Sequence, residues 1–136
     1  MDGEETTSAR SWRYRGWLSP ATITSARRSL DEWVRGQGGQ EVAADVVLAC
    51  WEGMSNVLRH AYYGAGGPFE MRAEVADGVL TVRITDDGRW RDPGEGSGTG
   101  RGFKLIQALA DAVDLTSHGD GTSLTLSWPL HQTSST

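Results

Sequence analysis

Hydrophobic residues recur along the first half of the chain with two periods, one typical of strands and one of helices. Ser11 to Leu18 alternates aromatic and basic residues, which predicts a half-buried strand. Ser19-Pro20 then supplies an N-cap followed by proline at the first helical position. Apolar residues at helical spacing continue to a glycine-rich stop at Gly36. A second amphipathic helix is predicted from Asp45 to Ala61.

The second half of the chain predicts a hairpin, a helix and a final strand. Phe69 to Val75 and Val79 to Thr85 alternate with period two and are joined by Asp77-Gly78, which is typical of a β-hairpin. Phe103 to Val113 has the spacing of an amphipathic helix, and Thr122 to Trp128 forms the last predicted strand. The order β-α-α-β-β-loop-α-β predicts an α+β fold. We expect a two-layer sandwich, with helices on one face of a mostly antiparallel sheet.

Composition narrows the class of protein. The 136 residues, 38% of them hydrophobic, predict one domain over 11–130, with flexible tails over 1–10 and 131–136. A net charge of -5 argues against direct binding to nucleic acid. The single cysteine, Cys50, falls on the apolar helix face and excludes an internal disulfide. With no membrane-spanning run and no signal peptide, we expect a cytoplasmic protein without a membrane partner.

A polar stripe runs along the second helix. Glu52, Asn56 and His60 recur every four residues and fall within an arc of about 80°, close to Asp45 and Arg59. A carboxamide oxygen can join phosphate oxygens and waters around Mg²⁺. A carboxylate one turn earlier could polarise a hydroxyl for attack on a terminal phosphate. Taken alone, the stripe is more often a solvated helix face.

Glycine marks three further candidate segments. Asp86-Asp87-Gly88 follows a strand and offers an acceptor to an amino group such as that of adenine, or forms an ordinary turn. Gly98-Thr99-Gly100-Arg101-Gly102 precedes a helix, where backbone N–H groups can approach phosphates. A mobile glycine loop is the alternative. Gly121-Thr122 opens the last strand, and its hydroxyl could bond a nucleotide or a buried aspartate.

In combination these segments resemble the Bergerat-type ATP-binding fold of the GHKL group. That group carries an N box (Glu-x-x-x-Asn), a G1 box (Asp-x-Gly-x-Gly), a G2 box (Gly-x-Gly before a helix) and a final Gly-Thr, in this order. The resemblance covers about residues 11–130. Glu52, Asn56 and His60-Ala61-Tyr62 are similar to the compact N box of bacterial anti-sigma factor serine kinases. One departure is Trp90, which replaces the second glycine of the G1 box.

The resemblance implies ATP and Mg²⁺ as cofactors, and a lid at roughly residues 89–101. Glu52 would be the general base that activates the substrate hydroxyl, and Asn56 would coordinate magnesium. His60 would lie near the site. The other implied positions would bind the nucleotide. Those at the adenine end are Asp86, Gly88 and Thr122, and those at the phosphates are Gly100, Arg101 and Gly102.

The implied function is an ATP-dependent serine/threonine protein kinase that also acts as an anti-sigma factor. Its partners would be a sigma factor and a STAS-type anti-anti-sigma protein, and the resemblance favours a homodimer. We expect no sensor histidine kinase, because a dimerisation helix pair has no room before Ser11. Two alternatives stay open, namely a module that binds nucleotide and sequesters a partner without turnover, and an α+β domain without nucleotide.

Overall fold

One antiparallel sheet covered on one face by helices forms the molecule. The structure, a computed structural model, describes residues 3–61, 66–87, 101–118 and 121–130. These residues form β1 (Gly3–Thr7), β2 (Ser11–Leu18), α1 (Pro20–Gly36), α2 (Ala43–Asn56), a π segment (Val57–Ala61), β3 (Gly67–Ala76), β4 (Val79–Asp86), α3 (Arg101–Leu109), β5 (Ala112–His118) and β6 (Gly121–Pro129). The strand order is β1-β2-β3-β4-β6-β5. The predicted α+β fold is confirmed.

Helix α1 begins where the sequence predicts. Ser19 is the N-cap, and its hydroxyl accepts the amide of Thr22 at 3.2 Å. The hydroxyl of Thr22 in turn accepts the amide of Ser19 at 2.8 Å, which completes a reciprocal cap. Thr22 also donates to the carbonyl oxygen of Trp17 at 2.7 Å. These bonds fix the direction of α1 relative to the end of β2.

The predicted hairpin between β3 and β4 is present. Ala76 and Val79 form its last strand pair, and the two residues between them both have positive φ, 54° at Asp77 and 75° at Gly78. Two-residue turns of this kind match the right-handed twist of the strands. The Asp77-Gly78 signal therefore fixes the register of the two central strands that lead to Asp86.

Helix α2 lies directly on the sheet. A Cβ added at Gly53 would be 3.0 Å from the Leu124 side chain and 3.1 Å from the Ile84 side chain, so α2 packs tightly on β4 and β6 at this point. Only residues 62–66 separate the π segment from β3, and Phe69 of β3 is paired with Asp86 of β4. Because a connection this short spans little distance, the end of α2 and the end of β4 lie at the same end of the sheet.

The prediction of a flexible tail over residues 1–10 is wrong for Gly3–Thr7, which forms the edge strand β1. All five of its residues are exposed, and the strand pairs with β2. The Glu5 carboxylate accepts hydrogen bonds from the Trp12 indole at 3.1 Å and from the Ser29 hydroxyl at 2.6 Å. Partners distant in sequence therefore hold this strand, which explains why its local pattern does not indicate it.

The predicted helix over Phe103 to Val113 is too long. α3 ends at Leu109, whose carbonyl oxygen accepts the indole N–H of Trp128 at 2.9 Å. The chain then turns into β5, which pairs with β6 along its whole length. The Leu109 to Val113 spacing fits a helix, but the edge of β6 offers backbone partners that extend the sheet instead.

The core lies between the helices and the inner face of the sheet. Trp12, Trp33 and Trp128 are buried there, whereas Trp17 is 55% exposed. Cys50 is buried as predicted, and desolvation raises the pKa of its thiol. Among the described helices, none is long and apolar enough to cross a bilayer.

Candidate nucleotide site

A buried carboxylate and hydroxyl form the best-defined part of the site. Asp86 is the last residue of β4, and Thr122 stands directly opposite it on β6. Both are buried, at 6% and 4% exposure, and Thr122 Oγ1 donates to Asp86 Oδ2 at 2.5 Å. A carboxylate only accepts hydrogen bonds, so this contact holds Asp86 in one orientation as an acceptor. An amino group such as that of adenine is the kind of donor that it suits.

Glycine at position 121 is required for the contact between Asp86 and Thr122. A Cβ at Gly121 would lie 2.0 Å from the backbone carbonyl oxygen of Asp86 and 3.2 Å from the Cα of Asp87. The two strands therefore approach too closely at this point for any other residue. Gly121-Thr122 thus has a structural reason to occur as a pair, since the glycine lets β6 bring its threonine to the carboxylate.

Asn56 is the third buried polar residue of the candidate site. It is 6% exposed and lies at the last position of α2. Its Oδ1 accepts a hydrogen bond from Arg59 Nη2 at 2.8 Å. The helix does not continue as predicted to Ala61, because the winding changes to the π segment directly after Asn56. Such π segments occur often at functional sites.

Glu52 lies one turn before Asn56 on α2 and is half-buried. Within the described residues its carboxylate makes no hydrogen bond or ion pair. A half-exposed carboxylate at this place is accessible to a substrate hydroxyl. The two residues are therefore arranged as the stripe predicts, although His60 falls on the π segment rather than on a regular α-helix.

The donor set fits a magnesium ion that is bound together with a phosphate compound. No group of three or more His, Cys, Asp or Glu side chains that could hold a metal occurs in the described part of the chain. Mg²⁺ usually keeps several waters and binds through one or two protein ligands plus phosphates. The Oδ1 of Asn56 already faces a cation, the guanidinium of Arg59. Asn56 is therefore suited to be the single protein ligand of such a magnesium ion.

The phosphate end of the site is described in part. Arg101 and Gly102 form the start of α3, where backbone N–H groups have no partner within the helix. The predicted positions Gly88 and Gly100, together with Trp90 and residues 89–100 of the predicted lid, lie outside the described residues. α3 packs against α2, and Ile106 anchors it in the core. The start of α3 is thus the described part of the predicted phosphate cradle.

A depression of about 740 Å³ also lies at the end of the sheet that carries Asp86. Arg15, Glu70 and Thr85 line it, and strand alternation places these residues on the face without helices. The side chains of Asp86 and Thr122 project to the other face. Asp86 nevertheless also lines the depression, so the two spaces adjoin at the end of β4.

Sequence reasoning did not identify two features of this site. The bond between Arg59 and Asn56 was open to prediction, since residues three apart on a helix are neighbours and Arg59 falls beside the stripe. The need for glycine at position 121 was not open to prediction, because it depends on how closely two strands approach each other.

Comparison with known proteins gives the family and the fold. Residues 16–128 match the family model of the histidine kinase-like ATPase domain. Blue-light-activated histidine kinase 2 of Erythrobacter litoralis is 33% identical over 102 residues, which is 68% of this chain and 29% of that protein. The chain thus spans less than a third of the length of this relative.

Two solved structures share the fold. The RsbU and RsbW domains of Rv1364c from Mycobacterium tuberculosis superpose with a TM-score of 0.70 at 20% identity, over 90% of this chain and 32% of that one. The histidine kinase AdeS of Acinetobacter baumannii gives a TM-score of 0.56 at 12% identity, over 86% of this chain and 68% of that one.

Proposed function

Because the chain belongs to the histidine kinase-like ATPase family, we propose that it is an ATP-dependent serine/threonine protein kinase that acts as an anti-sigma factor. The observation that carries the proposal is the order of its polar groups. Glu52 and Asn56 lie one turn apart at the end of α2, and the buried pair of Asp86 and Thr122 lies at the same end of the sheet. The likeness to a structure that contains an RsbW domain supports the same interpretation.

Each residue has a distinct task in the proposed reaction. Asp86, held by Thr122, accepts a hydrogen bond from the adenine amino group and so orients the nucleotide. Asn56 offers one carboxamide oxygen to the metal. Glu52 accepts the proton of the substrate hydroxyl as that oxygen bonds to the terminal phosphorus, and ADP leaves as the bond from that phosphorus to the bridging oxygen breaks. When bound, Mg²⁺ neutralises charge on the phosphates.

The proposed partners are a sigma factor, which the kinase binds without modifying it, and a STAS-type anti-anti-sigma protein, which receives the phosphate. A phosphoserine or phosphothreonine adds a charge of about -1.5 to -2, which disrupts a fitted interface by repulsion and desolvation. The phosphorylated protein would therefore leave the kinase, which would then bind the sigma factor. The segment from Glu52 to Tyr62 is similar to the N box of anti-sigma kinases, and this similarity supports the assignment.

A second candidate function is the ATP-binding part of a histidine kinase. The 33% identity to blue-light-activated histidine kinase 2 favours it. The two functions share ATP binding through Asp86 and differ in the residue that receives the phosphate. In a histidine kinase the acceptor is an imidazole that needs no general base, so Glu52 would matter less for the transfer.

Phosphotransfer from labelled ATP to STAS-type proteins of the source organism tests the proposal. We expect an acid-stable phosphoserine or phosphothreonine on one of them. Glu52→Gln should slow the transfer by about 10²- to 10⁴-fold while ATP binding is kept. Full transfer by Glu52→Gln would contradict the mechanism. An acid-labile phosphohistidine would favour the second candidate, and ATP binding without any transfer would favour a sequestering module.

A further inference from the structure

Within the described residues, the carboxamide oxygen of Asn56 accepts one side-chain hydrogen bond, and its donor is the positively charged guanidinium of Arg59. Arg59 Nη2 donates to Asn56 Oδ1 over 2.8 Å, while Asn56 itself is 6% exposed. Leaving a buried acceptor without a partner is costly, so the guanidinium stabilises Asn56 when no metal is bound. The contact also fixes the rotamer of the carboxamide and thereby keeps Oδ1 in one position.

The same oxygen is the proposed ligand of Mg²⁺. A magnesium ion would approach Oδ1 to about 2.0–2.1 Å. A guanidinium nitrogen at hydrogen-bond distance from that atom would then lie close to a doubly charged cation, and the two like charges repel. Resting on the proposed role of Asn56, we propose that Arg59 and Mg²⁺ compete for Asn56 Oδ1, so that metal binding requires the guanidinium to leave.

The surroundings of Arg59 allow it to leave. Its side chain is exposed, so the guanidinium can turn into water, where it is well solvated. The residue lies on the π segment, at which the regular winding of α2 has ended. Asn56, by contrast, is the last residue of the α-helix and stays buried. The proposed ligand is thus buried on the regular helix, while its competitor is exposed and able to turn away.

Binding of ADP with and without metal measures this competition, since ADP undergoes no transfer of a terminal phosphate. We define the metal gain as the dissociation constant in EDTA divided by that at saturating Mg²⁺, both from calorimetry. Arg59→Ala removes the competitor, and the metal gain should rise about threefold to tenfold, the value of one hydrogen bond. Arg27→Ala is the matched control, because it removes the same charge from an exposed position on α1.

Measurements at high salt distinguish direct competition for Asn56 Oδ1 from the general electrostatic effect of removing a positive charge. The field of a lost arginine is largely screened at about 0.5 M salt, whereas direct competition for one oxygen persists. An increased metal gain that persists at high salt supports the inference. A gain in Arg59→Ala equal to or below the wild-type value, or an increase that disappears at high salt, overturns it. If wild-type protein binds ADP without any metal gain, the proposed magnesium site itself is wrong.

Discussion

Replacing Thr122 by valine tests how much the hydrogen bond between Thr122 and Asp86 at the end of β4 stabilises the folded protein. Valine has nearly the shape of threonine and a high strand propensity, so the change removes little besides the hydroxyl. Asp86 Oδ2 then loses the hydrogen bond from Thr122, while Asp86 remains only 6% exposed. A hydrogen bond to a charged group contributes about 1.5–3 kcal/mol, and we expect the free energy of unfolding to fall by that amount.

Urea denaturation followed by tryptophan fluorescence measures this change, because three of the tryptophans are buried. Thr125→Val is the matched control. Thr125 lies on the same strand but on the face without helices, and its hydroxyl makes no hydrogen bond within the described residues. We expect this control to stay within about 0.5 kcal/mol of wild type. Equal unfolding free energies for the two variants would refute the reasoning.

Two further predictions concern packing and protonation. Gly121→Ala places a Cβ against the backbone of Asp86 and should cost about 3 kcal/mol or more, whereas Gly36→Ala has open space and should stay near wild type in the same denaturation assay. The raised pKa of Cys50 means that the folded protein keeps a proton which the unfolded chain loses above pH of about 8.5. Stability should therefore fall by up to about 1.4 kcal/mol per pH unit above that pH, a slope that Cys50→Ala should remove.

The elements that the sequence predicts well are those with strong local signals. The reciprocal cap at Ser19 and the turn at Asp77-Gly78 need no distant partner, and both are present. Strand β1 is different, since it is polar and exposed throughout and depends on Glu5 reaching Ser29 on another element. An edge strand of this kind carries no periodicity of its own, so local pattern cannot indicate it.

The candidate site was predictable to the same extent. Its residue types and their order are visible in the sequence, and the structure places Thr122 in contact with Asp86. The contact between Arg59 and Asn56 is compatible with their spacing of three residues on a helix, so the sequence contains a signal for it. The need for glycine at position 121 depends on the distance between two strands, which a one-dimensional pattern does not contain.

Calorimetry of ATP binding to wild type and to Asp86→Asn tests the central claim most directly. The amide of asparagine keeps the size of the side chain but weakens an acceptor to which adenine would donate. The account predicts that wild type binds ATP in the presence of Mg²⁺ and that Asp86→Asn, still folded by circular dichroism, loses at least about tenfold in affinity. Wild-type protein that does not bind ATP, or equal affinities for the two proteins, would contradict it.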